Sequence, residues 1–244
     1  MALFGLIGHP VSHSFSKDFF SNFFRENNLN VHSYELFDLP SIELFSTLMK
    51  ERNPSGLNVT IPHKTAILPF LDTIDDYAAE IGAVNCISRE GAKLKGYNTD
   101  APAFKATLLD MNLPFGTRAL VLGNGGAAKA VITILKQLDI PYEIVSRTIS
   151  DELLHWDQLT RKHIETHHLI INCTPVGMWP KQAERLQLPF ESFGSKHFVY
   201  DLIYNPAETI LLKEARLRGS FTMNGQAMLE RQALESWNIW KSQV

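Results

Sequence analysis

The chain has 244 residues, enough to bury one large core or two modest ones, and two small domains is the expected division. Its net charge of -3 comes from 23 Lys and Arg scattered among 26 Asp and Glu, which leaves no basic stripe of the kind a nucleic-acid binder needs to neutralise phosphates. No apolar run approaches the roughly 20 residues that span a bilayer, and Met1-Ala2-Leu3-Phe4 has no charged region ahead of a cleavage site, so a soluble cytoplasmic protein is expected.

Residues 3–8 read as a short buried strand, and Gly8-His9-Pro10 turns the chain out of it. Ser12-His13-Ser14-Phe15-Ser16 follows, ahead of Phe19, Phe20, Phe23 and Phe24 at helical spacing. Either Ser14 or Ser16 can cap this helix, because a serine oxygen accepts a free amide of the first turn; the other then presents a hydroxyl outward, suited to a hydroxylated or carboxylated ligand. Residues 30–38 make a second strand, and 42–52 an amphipathic helix with Leu44, Phe45 and Leu48 inward. In Gly56-Leu57-Asn58-Val59-Thr60-Ile61-Pro62-His63-Lys64, Leu57, Val59 and Ile61 alternate with Asn58 and Thr60, and Pro62 ends the strand by removing a backbone donor. This β-α-β-α-β rhythm belongs to a parallel sheet with crossover helices. Strand ends in such sheets line clefts, so Thr60 and Lys64 would project a hydroxyl and an ammonium into one opening. Taken alone, Lys64 reads as a solvated lysine after a turn.

Short helices over 66–71 and 75–81 lead to Gly82-Ala83-Val84-Asn85-Cys86-Ile87-Ser88, where Asn85 is a polar group in an apolar strand. A buried asparagine has to be paired, either with protein backbone or with a ligand hydroxyl. Residues 93–97 form the hairpin partner and run into Asn98-Thr99-Asp100. Asn98 or Thr99 would cap a helix over 101–111, and Asp100 lies in its first turn, where the macrodipole favours a carboxylate. Asp100 is also the natural counter-charge to Lys64.

Leu113-Pro114-Phe115-Gly116 breaks the pattern, so a domain boundary is expected near it, with helix 101–111 as the connecting element. A buried strand over 118–122 then enters Gly123-Asn124-Gly125-Gly126-Ala127-Ala128, a G-x-G-x-x-A pattern between a strand and a helix over 127–138. Gly123 permits the tight turn, Gly125 lets a pyrophosphate approach the backbone, and Ala128 permits close helix packing, with the phosphate on the helix N-terminus. The next strand, 142–145, ends at Ser146-Arg147-Thr148, where an acid would grip the ribose 2′-hydroxyl of NAD. An arginine with two hydroxyls suits a 2′-phosphate, so NADP is the expected cofactor, with Asp151 close by to temper the preference.

A strand over 168–172 is followed by Thr174-Pro175-Val176-Gly177-Met178, a loop on the ligand edge of a doubly wound sheet. Residues 179–196 hold no motif with readable chemistry. A strand over 197–202, a helix over 207–218 started by Tyr204-Asn205-Pro206, and a long helix over 225–240 complete the chain. Gln232 falls among the inward positions of that last helix, either paired internally or reaching a ligand. Cys86 and Cys173 read as packing residues, too few for a disulfide framework or a zinc site. The pairs His9/His13 and His163/His167 read as solvated or core histidines, since neither has an HExxH glutamate, and no metal is expected.

These segments, from Gly8-His9-Pro10-Val11-Ser12-His13-Ser14-Phe15-Ser16 through Asn58 to Lys64, Gly82 to Asn85, Gly96 to Asp100, Gly123 to Ala127, Ser146 to Thr148, Asn172 to Met178 and Gly225 to Gln232, occur in the order typical of shikimate dehydrogenases. The chain resembles that family over nearly its whole length. The resemblance implies NADPH-dependent reduction of 3-dehydroshikimate to shikimate, on the route to the aromatic amino acids. It implies an α/β protein of two domains with a cleft between them. The first is a mixed-sheet substrate domain over 1–100, rejoined by the helix near 225–244; the second is a Rossmann-like, doubly wound NADP-binding domain over 101–224. Lys64 and Asp100 fall on the catalytic pair. Ser14, Ser16, Thr60, Asn85, Tyr204 and Gln232 fall on substrate positions. Asp76, Gly123, Asn124, Gly125, Gly126, Ala127, Ser146, Arg147, Thr148, Ile203 and Gly225 fall on cofactor positions. The implied partner is the small-molecule substrate, without nucleic acid or membrane, in a monomer or homodimer.

Three departures from the family stand out. Lys17 replaces a common proline and Phe20 a frequent histidine, both expected to alter packing only. Asp151 stands where many members carry a second arginine for the 2′-phosphate, which opens the way to NAD. Two rival readings follow: a quinate/shikimate dehydrogenase using NAD, and a nucleotide-binding regulatory paralogue without turnover.

Overall fold

In the computed structural model, residues 1–12, 14–148, 150 and 152–243 are described. The chain divides into two units, Met1–Asp100 with Arg231–Val244, and Ala101–Glu230.

The first unit contains β1 (Leu3–Gly8), α1 (Ser16–Glu26), β2 (Ser33–Asp38), α2 (Phe45–Arg52), β3 (Gly56–Val59), β4 (Thr73–Ile74), α3 (Asp76–Ile81), β5 (Cys86–Glu90) and β6 (Lys93–Tyr97). Its sheet runs β2-β1-β3-β5-β6-β4. β1 pairs in parallel with β2 and β3, whereas β5 is antiparallel to both β3 and β6, so the sheet is mixed. β3 is buried at all four positions, as a strand covered on both faces must be. Three local departures from the sequence pattern have simple causes. β2 begins at Ser33 rather than at 30, because Val31 sits in a turn with 62% of its surface exposed. The segment 42–52 opens as a 3-10 turn before α2, and the segment 66–71 keeps only the 3-10 turn Leu68–Phe70, into which Pro69 brings no amide donor.

The core of this unit is completed from far along the chain by α8 (Gln226–Trp240). Trp240 is fully buried, stacks on Phe4 with ring centroids 4.8 Å apart, and donates its indole N–H to the Ile87 carbonyl at 2.9 Å. A large ring with its polar handle satisfied contributes about 3–5 kcal/mol at such a position.

The second unit contains most of α4 (Asp100–Asp110), then β7 (Ala119–Leu122), α5 (Gly126–Gln137), β8 (Tyr142–Ser146), β9 (Leu154–His155), α6 (Arg161–Thr166), β10 (Leu169–Asn172), β11 (Phe198–Asp201), α7 (Ile210–Leu217) and β12 (Phe221–Met223). The sheet order is β12-β11-β10-β7-β8-β9 with every pair parallel. Strand order proceeds outward in both directions from β7, so the topological switch lies between β7 and β10, the place where open α/β sheets bind ligands. α7 starts at Ile210 rather than at 207 because Thr209 caps it, accepting the Leu212 amide at 3.3 Å. The two-residue β9, the three-residue β12 and the six-residue α6 carry too few residues to show a period in sequence. Among the described residues no helix is long and apolar enough to cross a membrane.

Candidate active site

Lys64 follows β3 on a stretch of backbone held from both sides. The Val84 amide donates to the Lys64 carbonyl at 2.8 Å, and the buried ring of His63 bonds through Nε2 to the Leu39 carbonyl at 2.7 Å. The lysine side chain crosses to α4, where Nζ donates to Asp100 Oδ2 at 2.6 Å. With side chains only 15% and 8% exposed, this pair is screened little by solvent. Asp100 is the first residue of α4, where the helix macrodipole suits an acidic side chain.

The backbone before Asp100 is also tied down. Asn98 donates from Nδ2 to the Ala83 carbonyl at 2.9 Å. The Thr99 amide donates to Asn85 Oδ1 at 2.6 Å, while Asn85 Nδ2 donates to Thr99 Oγ1 at 3.0 Å. Of the two partners open to Asn85 from sequence, the protein one is realised. Ser14 and Ser16 share the start of α1: Ser14 Oγ accepts the Ser16 amide at 3.2 Å, and the nearly buried Ser16 hydroxyl is a partner of the Tyr34 phenol. Thr60 is half-buried, with its amide bonded to the Ile7 carbonyl at 2.9 Å and its methyl packed on Gly8. Gln232 is half-buried on α8, and Asp76 is exposed at the start of α3, next to the cap residue Asp75.

In the second unit the glycine loop joins β7 to α5. Gly123 has φ +105°, a left-handed value that favours glycine, and its amide donates to the Val145 carbonyl at 2.8 Å. Gly125 precedes α5, which has no side-chain cap and no acid in its first turn. Space beside Gly125 is open, Asn124 is exposed, and Gly126 and Ala127 are half-buried at the helix start; Ala128 is fully buried beneath them. Helix-start amides, open approach and no acid in the first turn suit a pyrophosphate. At the end of β8 the buried Ser146 accepts the Thr148 amide at 3.0 Å, which turns Arg147 and Thr148 to the surface. Asp151 and His13, singled out from sequence, lie outside the described residues.

A buried carboxylate that sequence reasoning passed over organises the neighbouring edge. Asp201, at the end of β11, accepts from Asn172 Nδ2 at 2.9 Å and the Ile203 amide at 3.1 Å on one oxygen, and from the Thr209 hydroxyl at 2.6 Å on the other. Burial raises its carboxyl to about 6, against the pull of these three donors. Asn172 in turn accepts the amide and hydroxyl of Thr174, whose methyl faces Gly123. Ile203 accepts the Gly225 amide at 3.0 Å, and a Cβ at Gly225 would collide with the Leu202 carbonyl, so only glycine permits this approach. Tyr204 follows, half-buried. The visible signal was an acid flanked by Tyr200 and Leu202 in an apolar strand, since a buried acid must be paired.

Among the described residues, the histidines and cysteines singled out from sequence in this unit and the first have local surroundings that account for them. His163 Nδ1 accepts the Thr160 amide at 3.0 Å, and His167 Nδ1 bonds to the His163 carbonyl at 2.7 Å. Cys86 is buried, which pushes its thiol up to about 12, and burial raises the Cys173 thiol as well. Among the described residues no cluster of three His, Cys, Asp or Glu could hold a metal ion.

Comparison with known proteins agrees with the motifs. A family model described as the shikimate dehydrogenase substrate binding domain matches residues 6–87. The shikimate dehydrogenase (NADP(+)) of Moorella thermoacetica is 36% identical over 259 residues, covering 98% of this chain and 87% of that one. That of Bacillus subtilis is 34% identical over 260 residues, covering 99% and 92%. Among solved structures, a shikimate 5-dehydrogenase of Thermus thermophilus in complex with NADP(H) and shikimate superposes with a TM-score of 0.87 at 32% identity, covering 99% of this chain and 94% of the other. One from Listeria monocytogenes, in complex with shikimate and NAD, gives 0.80 at 28% identity, covering 99% and 92%. A paired lysine and aspartate in a mixed-sheet unit, a glycine loop at the switch point of a parallel sheet, and near full-length similarity converge on one conclusion: the chain belongs to the shikimate dehydrogenase family.

Proposed function

We propose that the protein is an NADP-dependent shikimate dehydrogenase, reversibly reducing the ring ketone of 3-dehydroshikimate to the secondary alcohol of shikimate. The observation that carries this reading is the Lys64–Asp100 pair, a 2.6 Å contact between side chains almost withdrawn from water. NADPH supplies the hydride for the carbonyl carbon, and the protein has to supply the proton and stabilise the oxygen. Lys64 does both: its ammonium lowers the energy of the developing alkoxide and then gives up a proton to it. Asp100 aims Nζ and offers its second oxygen to an adjacent substrate hydroxyl. In the oxidative direction the same lysine takes the proton back.

Around this pair, Ser14, Ser16, Thr60 and Gln232 are assigned to the carboxylate and hydroxyls of the substrate. Asn85 keeps one N–H beyond its bonds to Thr99 and is assigned to a ring hydroxyl as well as to holding Thr99. The nucleotide is assigned to the second unit. The start of α5 from Gly123 to Ala127 takes the pyrophosphate, Ser146, Arg147 and Thr148 take the 2′-phosphate, and Ile203 and Gly225 face the nicotinamide end. A cytoplasmic location, and a monomer or homodimer, are part of this reading.

The test is shikimate oxidation by the purified protein with NADP+ and NAD+ in parallel, and quinate as the competing substrate. Turnover with shikimate and NADP+ is the expected result. Preference for quinate with NAD+ would reassign it to quinate dehydrogenase, and NADPH binding without any turnover would make it a regulatory paralogue.

A further inference from the structure

A chain of buried hydrogen bonds links the start of α1 to Thr99, the residue before Asp100. It starts at Ser16, a partner of the Tyr34 phenol. The Tyr34 hydroxyl donates to Asn58 Oδ1 at 2.8 Å, and Asn58 Nδ2 donates to Ser236 Oγ at 2.8 Å, a link between residues 178 positions apart. Ser236 sits on α8 and donates its single proton to the Gln232 carbonyl, one turn back, at 2.9 Å. Its oxygen also lies 3.3 Å from Thr99 Oγ1. Either hydroxyl can donate across that contact, since the Thr99 hydroxyl also has Asn85 Oδ1 at 3.3 Å. Thr99 is the residue before Asp100, and its hydroxyl and amide are both held by Asn85.

Ser236 is therefore a junction. It accepts from Asn58, donates to Gln232, shares a 3.3 Å contact with the Thr99 hydroxyl, and has the Cys86 thiol as a further neighbour. It is fully buried in the inner face of a helix, where alanine would be the better helix former and would cost no desolvation. A hydroxyl at such a position is useful only through its partners. Those partners lead to Ser16, to Gln232 and, through Thr99, to Asp100.

We propose that Ser236 is a positioning residue for the reaction: through Thr99 it sets the orientation in which Asp100 presents Lys64, and through Asn58 and Tyr34 it couples that orientation to the substrate end of α1. The proposal rests on the reading of Lys64 as proton donor. An error of order 1 Å in the placement of a catalytic group can cost up to about 100-fold in rate, so a loosened Thr99 has a kinetic signature distinct from lost stability.

The experiment uses Ser236→Ala and Thr99→Val, the second of which keeps the threonine shape without its hydroxyl, singly and together in the full chain. Steady-state shikimate oxidation and thermal melting are measured side by side. Each single variant is expected to lower kcat about tenfold with KM for shikimate within about twofold, and the double variant to be no slower than the slower single one, because both cut the same link. Wild-type kcat in Ser236→Ala, with only a lower Tm, would overturn the proposal, as would multiplicative losses in the double variant. Should Ser236→Ala fail to fold, Ser236→Cys, which keeps the shape with a weaker hydrogen-bonding group, takes its place: a fall in kcat at constant KM supports the coupling and unchanged kcat overturns it. A wild-type protein that does not oxidise shikimate overturns the parent reading, and this proposal with it; an active wild type with unaffected variants overturns the positioning role only.

Discussion

Replacing Lys64 by alanine separates its chemical role from its structural one. As proton donor its loss should lower kcat by about 100- to 1,000-fold, within the range for a positioned general acid, with KM for shikimate within about threefold. The structural cost follows from Asp100, which is 8% exposed and loses a counter-ion at 2.6 Å. At an effective dielectric constant near 20 the Coulomb attraction at that distance is about 6 kcal/mol, against a desolvation penalty of several kcal/mol per ion. The start of α4 goes on favouring the orphan carboxylate by about 0.5 kcal/mol. A net loss of about 2–3 kcal/mol is expected, or a fall in Tm of roughly 5–10 °C for a chain of this size. Lys64→Ala combined with Asp100→Asn should regain part of that stability, since no uncompensated charge remains, while staying inactive. The assay is NADPH absorbance during shikimate oxidation, paired with thermal melts of the three proteins. Survival of turnover with a raised KM would make Lys64 a binding residue only and refute the mechanism. Unchanged melting of Lys64→Ala would mean that the ion pair contributes nothing in solution.

Other perturbations test the second unit. Asp201 is raised from 3.8 to about 6, so the folded protein holds this proton more tightly than the unfolded chain does. Its contribution to stability is full below about pH 4 and is lost as pH rises through about 6; Asp201→Asn should flatten that part of the curve by up to about 3 kcal/mol, read from urea midpoints. An unchanged slope would show that the carboxyl titrates normally. Arg147→Ala should raise KM for NADP+ about tenfold and leave NAD+ within about twofold, and equal effects on the two cofactors would remove Arg147 from the 2′-phosphate site. Gly225→Ala should cost about 2 kcal/mol or more by driving a Cβ into the Leu202 carbonyl, a loss visible as a lower Tm and absent if that backbone can yield.

Local periodicity carried much of this architecture. β1 matches its expected span from residue 3 to 8, and the glycine pattern sits between β7 and α5 as its spacing requires. The Lys64–Asp100 contact was readable because each residue lies a few positions past a strand of the same sheet, Lys64 after β3 and Asp100 after β6, so that sheet geometry rather than coincidence brings them together. What sequence left open was decided by long-range pairing. Asn85 could have bonded to backbone or ligand, and only the fold shows Thr99 meeting its amide. Ser236 and Asn58 carry no local mark at all, since a serine in a helix and an asparagine in a strand look ordinary until their 178-residue separation is closed. Elements as short as β9 and β12 are stabilised by their neighbours in the sheet and not by any pattern of their own.

The return of α8 to the first unit also bears on how the protein is made. Trp240 fills the space beside Phe4, yet the ribosome produces the whole of Ala101–Glu230 before that ring exists. At roughly 5–20 residues per second, the first hundred residues wait on the order of ten seconds with Phe4, Phe20 and Tyr34 lacking their indole lid, while the contiguous second unit can complete itself meanwhile. The half synthesised first is thus the half finished last, and its aromatic cluster is the surface a nascent-chain chaperone would have reason to cover.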